Sequence, residues 1–415
     1  MTTGEVATAN LTSVFRDEWS AVVATVARRL GGDLEAAEDA AQEAFTSAAR
    51  TWPRDGVPAR PGAWLTVAAW RKAVDRLRRD QLFSERMGEI ALAEEQTMRE
   101  PEDRSLVDDD LLALIFACCH PELSLDVRVA LTLRFVVGMT TREIAGAFLT
   151  PEATMGQRLF RAKRKIRKDG LAFTVPDPKE LSGRLSGVLS VVYLVFNEGY
   201  AASGGIELVR GDLCEEALWL GRLLHRILPD DAEVAGLLAL MMVHRARADS
   251  RRDAMGRPVP LAEQDRSRWD RDAIAEATGL LDSALHRGVP GPYQIQAAIA
   301  AVHAEAPCIE LTDWAQISLL YAELARVAPS PVVEINRAVA VGLADGPEAG
   351  LDVLRPVLLL GELTGYAPLH AAHADLLDRS GDRAAADAAW RRALDATRNE
   401  ALRAELARRI DQRSA

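Results

Sequence analysis

The stretch from Gly138 to Lys168 constrains this chain more than any other. Thr140 followed by Glu143 forms a capping box, which opens a short helix through Ile144 and Phe148. Thr150-Pro151 then supplies an N-cap residue with proline at the first helical position, the favoured start of a further helix. On that helix Met155, Leu159, Ala162 and Ile166 fall within about 60° of one another, a buried stripe. Arg158, Arg161, Lys165 and Lys168 fall in a separate band about 80° wide, extended by Lys163, Arg164 and Arg167. No acidic residue occurs between Gly156 and Lys168. An apolar helix over 127–137, ended by Gly138, precedes the pair. A capped short helix, a tight turn and a basic second helix describe a helix-turn-helix, whose second helix enters the DNA major groove. There cations meet phosphates for affinity, or guanine edges for sequence choice. A basic run alone usually marks only a solvated helix face. Here it coincides with the caps, the turn and the apolar stripe, which favours a DNA-reading surface with Thr141, Arg142, Gln157, Arg158, Arg161, Arg164, Lys165 and Lys168 as its contacts.

Everything around this motif also reads as helix. Alanine, leucine and arginine are abundant, aromatic residues make up only 5%, and no run alternates β-branched and polar residues between turn signals. The fold class is therefore all-α. At 415 residues, two or three domains are expected. The longest apolar stretch, near Leu185–Phe196, is about 12 residues against the roughly 20 needed to span a bilayer, so no membrane association is expected. Glu5, Arg16, Asp17 and Glu18 interrupt the first twenty residues, which contain no apolar signal core. With Cys118, Cys119, Cys214 and Cys308 too few for a disulfide framework, the expectation is a cytoplasmic protein with reduced thiols. A net charge of −11 excludes indiscriminate coating of nucleic acid, but nearly all of it resides after residue 168.

The chain divides at composition shifts. Residues 11–85 read as a helical bundle interrupted by Gly31-Gly32 and a proline-rich segment from Pro53 to Pro61. An acidic connector covers 86–108, the helix-turn-helix block 109–170, and a helical region 180–412. In that last region the stretch starting at Asn336 can be laid over the one starting at Ala371, matching Gly346 to Gly381. An Ala-rich helix, a glycine turn and a second helix with small packing residues, repeated after about 35 positions, suit tetratricopeptide (TPR) repeats.

Trp64 to Asp80 forms a helix with Leu65, Ala73 and Leu77 inward. Arg71, Lys72, Arg76, Arg78 and Arg79 lie outward or on its flanks, with Trp64 and Trp70 interleaved. Rings beside cations suit unpaired DNA, whose bases stack and whose phosphates meet arginine. Taken with Asp39-Ala-Ala-Gln42-Glu43-Ala-Phe45, this order of pieces resembles the extracytoplasmic-function (ECF) sigma factors. The resemblance covers about residues 11–168. It implies that Asp39, Gln42, Glu43 and Phe45 dock on the β′ clamp helices of core RNA polymerase. It also implies that Trp64–Arg79 serves the promoter −10 element, and that the helix-turn-helix reads the −35 element next to the β flap. One departure from the family pattern is Arg71, where many relatives have asparagine. The rest resembles the subgroup with a long TPR-like C-terminal extension, through Tyr193–Tyr200, Gln264–Trp269 and Ser330–Arg337. That subgroup implies no dedicated membrane anti-sigma partner and an extension that takes part in control through a protein partner or the other domains.

Other features carry less. Cys118-Cys119-His120 lacks two further ligands at metal spacing, and adjacent helical thiols point about 100° apart, so core packing is the better account and no metal is expected. Asn197-Glu198-Gly199-Tyr200 reads as a helix junction, and Gln264-Asp265-Arg266-Ser267-Arg268-Trp269 as a partner face or a polar loop pinned by Trp269. Phosphate-loop, dinucleotide, zinc-protease and nucleophile-elbow motifs are missing, so neither catalysis nor a cofactor is expected. The alternative to a sigma factor is a free-standing helix-turn-helix regulator whose TPR-like half senses a ligand or protein.

Overall fold

Asp33 sets the first sharp boundary: its side chain accepts from Glu35 N and Ala36 N, both at 3.1 Å, capping a helix over Leu34–Asp55. Glycines at φ 64° and 90° (Gly31, Gly32) turn the chain into it from the helix before. The computed structural model describes residues 3–79, 104–169, 173–202, 204, 209–253 and 255–414. Among these the chain is helical, with no strand, and falls into two compact units, Met1–Val191 and Val192–Ala415. Most of the expected acidic connector lies outside the described residues.

In the first unit, α1 (Thr3–Arg29), α2 (Leu34–Asp55) and α3 (Pro61–Arg79) pack on one another. α1 also packs on α4 (Arg104–Cys118). The core of this bundle includes Trp19, Val22, Phe45, Leu65, Trp70 and Phe116. α5 (Leu125–Leu131) runs into a π-helical turn over Thr132–Val137, ended by Gly138 at φ 87°. The expected single helix over 127–137 therefore has a widened last part. A Cβ on Gly138 would lie 3.0 Å from the Trp19 ring and 3.1 Å from Phe15, so close approach as well as backbone conformation requires glycine there. α6 (Thr141–Ala147) and α7 (Glu152–Lys168) follow. Cys118 and Cys119 are buried in the core, which raises both thiol pKa values, that of Cys119 to about 11.

One expected cap is corrected. Leu149 adopts φ 50° and Pro151, not Thr150, stands at the N-cap of α7. The Thr150 hydroxyl is buried without a hydrogen-bond partner. The left-handed step at Leu149 turns Thr150 away from the helix it was expected to cap.

α8 (Pro178–Tyr200) leads into the second unit, built of α9 (Gly211–Ile227), α10 (Ala232–Ala246), α11 (Arg271–Leu285), α12 (Pro292–Glu305), α13 (Trp314–Val327), α14 (Pro331–Ala344), α15 (Pro347–Leu360), α16 (Ala367–Ser380), α17 (Arg383–Ala396) and α18 (Glu400–Ser414). Helix pairs stack here: α14 on α15, α16 on α17, and α14 on α16. Gly346 and Gly381, the two matched glycines, both sit in the turn within a pair at positive φ. Close approach depends on small residues. A Cβ on Gly350 would lie 2.6 Å from the Ala338 carbonyl oxygen and 2.8 Å from Gly342 Cα. Among the described residues no helix is long and apolar enough to cross a membrane.

Candidate nucleic-acid interface

The capping box forms as the sequence dictates. Glu143 N donates to Thr140 Oγ1 at 3.2 Å, and Thr140 N to Glu143 Oε2 at 2.7 Å, closing both orphan donors. Met155, Leu159, Ala162 and Ile166 are all buried, fixing the rotation of α7. That rotation leaves Gln157, Arg161, Arg164, Lys165 and Lys168 exposed, together with Arg142 on α6. Thr141 and Arg158 are half-buried, the latter with its guanidinium 5.7 Å from the Phe148 ring. Gln157, Arg158, Arg161 and Lys165 line a shallow groove with Glu122 and Ser124.

The cations of this groove have weak partners. Lys165 reaches Asp169 at 2.7 Å and Glu122 at 3.6 Å, and Arg158 reaches Asp126 at 4.0 Å. Hydrogen bonding to Asp169 raises the Lys165 pKa and lowers that of Asp169. These pairs face water, so each contributes little and yields readily to a phosphate. Phe160, 53% exposed next to Arg161, escaped the wheel argument because it sits off both stripes.

Lys163 and Arg167 behave differently. Lys163 points to Glu38 at 3.4 Å and Glu35 at 3.9 Å, and Arg167 to Asp33 at 3.7 Å, all on or capping α2. Glu38 is 5% exposed and also holds Arg134, whose Nε donates to it at 2.5 Å. Arg134 further donates to the Met139 carbonyl at 2.8 Å. Sequence reasoning missed Glu38 and Arg134. The available signal was a carboxylate on the α2 face that otherwise buries Leu34, Ala37, Ala41 and Phe45. Elsewhere in the unit, burial raises the Asp110 pKa despite its ion pair with Arg28. Burial and the charge of Asp17 raise that of Glu18.

On α2, Gln42 and Glu43 are exposed and Asp39 half-buried. Phe45 lies in the core, 4.9 Å from the Phe15 ring and 5.8 Å from Trp19. Asp39 pairs with Arg76, and Glu43 with Lys72 at 3.7 Å, so the acids of α2 meet the bases of α3. Gln42 lines a cleft with Arg134, Thr141 and Arg142. On α3, Arg71 and Arg78 are exposed, and Trp64 is half-buried edge-on to Trp52 at 5.5 Å. Trp70 is buried beneath Arg29, so it supports α3 rather than presenting a ring. The Arg79 side chain lies outside the described residues.

Two family descriptions match this unit: Sigma-70 region 2 over residues 17–82 and Sigma-70, region 4 over residues 113–166. The ECF RNA polymerase sigma factor SigL of Mycobacterium tuberculosis (strain ATCC 25618 / H37Rv) is 31% identical over 165 residues, 39% of this chain and 89% of SigL. The chain belongs to the ECF sigma factor family. The probable ECF RNA polymerase sigma factor SigI of the same strain is 30% identical over 160 residues, and the match spans 37% of this sigma factor but only 54% of SigI. An uncharacterized protein, R00370 of Rhizobium meliloti (strain 1021), is 43% identical over 394 residues, 92% of this chain and 91% of that one. Its reach shows that the sigma regions and the C-terminal unit occur together elsewhere. Residues 184–285 match a family of unknown function, DUF6596. No solved structure matches the chain.

Proposed function

We propose that this sigma factor binds core RNA polymerase and directs promoter-specific initiation, with its C-terminal helical unit modulating that activity. The exposed cationic face of a helix-turn-helix whose first helix is closed by a capping box, in a chain that also carries region 2, is the observation that supports it most. Asp39, Gln42 and Glu43 on α2 would meet the β′ clamp helices of the polymerase, with Phe45 holding the helix from below. Trp64, Arg71, Lys72, Arg76, Arg78 and Arg79 would serve the −10 element, and α6–α7 the −35 element beside the β flap. The stacked helix pairs of the second unit suit a TPR-like surface for a protein partner. No step requires a catalytic residue or cofactor of this chain; the chemistry would belong to the polymerase.

Run-off transcription with purified core polymerase on the promoter upstream of the protein's own gene tests this reading. Full-length protein should be compared with a fragment ending at residue 191, where the first unit ends. Specific initiation by either form supports sigma function, and the difference between them gives the sign of the C-terminal unit's control. Failure of both, together with failure to pull down core enzyme, would instead favour a free-standing regulator.

Arg158→Ala with Arg161→Ala should weaken −35 duplex binding at least about tenfold, the loss expected from two charge-assisted contacts. Core-enzyme binding should stay unchanged. Unaltered duplex affinity in a mobility-shift titration would remove these residues from the interface.

A further inference from the structure

Two segments of the second unit that the sigma reading leaves idle, Asn197–Tyr200 and Gln264–Trp269, meet at a cluster of arginines. Arg247, the C-cap of α10, has its guanidinium 4.8 Å from the Trp269 ring centre. Arg266 lies 4.9 Å and Arg271 5.8 Å from the same ring, while Arg251 stands 3.8 Å over Tyr200. Trp269 is itself fixed, its indole N–H donating to Ser250 Oγ at 2.7 Å.

Of these four cations Arg247 and Arg266 are buried, Arg251 is half-buried and Arg271 exposed, and Glu310 offsets part of the Arg266 charge. Arg266 donates to the His303 and Ala306 carbonyls at 2.8 and 2.6 Å, and Arg271 to the Ala304 carbonyl at 2.9 Å. Arg251 donates to the Tyr200 carbonyl. Carbonyl oxygens satisfy geometry but carry no full charge. Among the described residues Arg247 has neither: it is 6% exposed, its Nε is buried without a partner, and no carboxylate pairs with it. A buried guanidinium without a counter-ion is among the costliest arrangements a protein can hold. Burial lowers the Arg247 pKa; Tyr200 offsets part of that, and the charge of Arg251 adds to it.

The surroundings suit an incoming acceptor. His244 and His303 both feel the charge of Arg247, and each has a buried Nδ1 without a partner. Tyr200, His244, Arg251 and His303 are only part-buried, so the cluster is not sealed from solvent. We propose that Arg247, Arg251 and the neighbouring imidazoles form a binding site for the oxyanion group, phosphate or carboxylate, of a small molecule. Trp269 and Tyr200 then act as the walls that keep the guanidinium planes apart. Arg266 and Arg271, already committed to carbonyls, supply field rather than contacts.

The test uses the full-length protein, dialysed into a phosphate-free sulfonate buffer with sodium chloride. Inorganic phosphate and malonate are titrated separately at constant ionic strength, while the melting temperature of the C-terminal unit is followed. The wild type should show a saturable rise with at least one probe, and which one distinguishes a phosphate ligand from a carboxylate ligand. Arg247→Met removes the charge but keeps the chain over Trp269. It should melt higher than wild type without added anion and lose the saturable rise. Arg247→Lys keeps the charge without the planar fork and should weaken the response about tenfold. Three results would each overturn the site. One is no saturable response to either probe in the wild type. Another is an equal response in Arg247→Met, which would mark general salting effects. The third is destabilisation or misfolding of Arg247→Met without anion, which would mean that a protein group already balances the charge.

Discussion

Glu38→Ala is expected to destabilise the first unit by about 3–5 kcal/mol, the cost of stranding a largely buried cation. The Glu38 side chain is 6% exposed and that of Arg134 16%, so solvent cannot replace the lost carboxylate. Lys163 would also lose its nearer partner and keep only Glu35 at 3.9 Å. Urea unfolding of the full-length protein measures this in the transition assigned to the first unit. Replacing Glu38 and Arg134 together by methionine should recover most of the loss, because the buried pair is removed as a whole and Lys163 keeps Glu35. A Glu38→Ala cost below about 1 kcal/mol would place the pair with ordinary surface ion pairs instead.

The same substitution has a functional consequence under the sigma reading. Glu38 ties α2 to the π-helical turn and to α7. Promoter elements named −10 and −35 lie about 25 base pairs apart, roughly 85 Å at about 3.4 Å per pair. If α3 serves the −10 element and α7 the −35 element, contacts of a few ångströms between α2 and α7 would have to open before both are engaged. Glu38→Ala should therefore bind a promoter-length duplex, in the presence of core enzyme, more tightly than wild type while being less stable. A variant that loses affinity and stability together would show that the ion pairs persist in the bound form.

What the sequence revealed and what it hid follow from the range of the interactions involved. The capping box, the Met155–Ile166 stripe and the glycine turns at Gly346 and Gly381 depend on neighbours within one or two helical turns, and each formed as read. The cap expected at Thr150 failed because one residue, Leu149, takes a left-handed conformation that no local rule assigns to leucine. The wheel sorted α7 into buried and cationic faces but not its cations by partner. Lys163 and Arg167 meet carboxylates more than a hundred residues earlier in the chain, a pairing that periodicity cannot express. Phe45 and Trp70 illustrate the same limit, since a motif position or a run of bases does not say which side of a helix is covered. The arginine cluster was half legible: Gln264–Trp269 stood out by composition, while its partners Arg247 and Arg251 come from the end of α10 and the 3₁₀ turn after it.

The largest pH effect is expected in the second unit, from His244 and His303. An unfolded histidine titrates near 6.5. In the fold His244 is held down to about 3 and His303 to about 4, first by burial and then by the charges of Arg247 with Arg251 or Arg266. The rings against them are Tyr200 and Phe196 for His244 and Trp314 for His303, none of which supplies a negative charge, and His303 itself lowers His244 further. Below pH 6.5 the unfolded chain thus binds protons that the folded chain refuses. Stability is complete above that value and is lost as pH falls toward the folded values. From pH 7 to pH 5 each histidine accounts for about 2 kcal/mol, an upper figure because both keep some solvent access. Urea midpoints at the two pH values measure the sum, and His303→Gln should remove about half of the difference. An oxyanion beside Arg247 would cancel part of the field that keeps both imidazoles neutral. Saturating malonate should therefore flatten this pH dependence in the wild type and leave it unchanged in Arg247→Met.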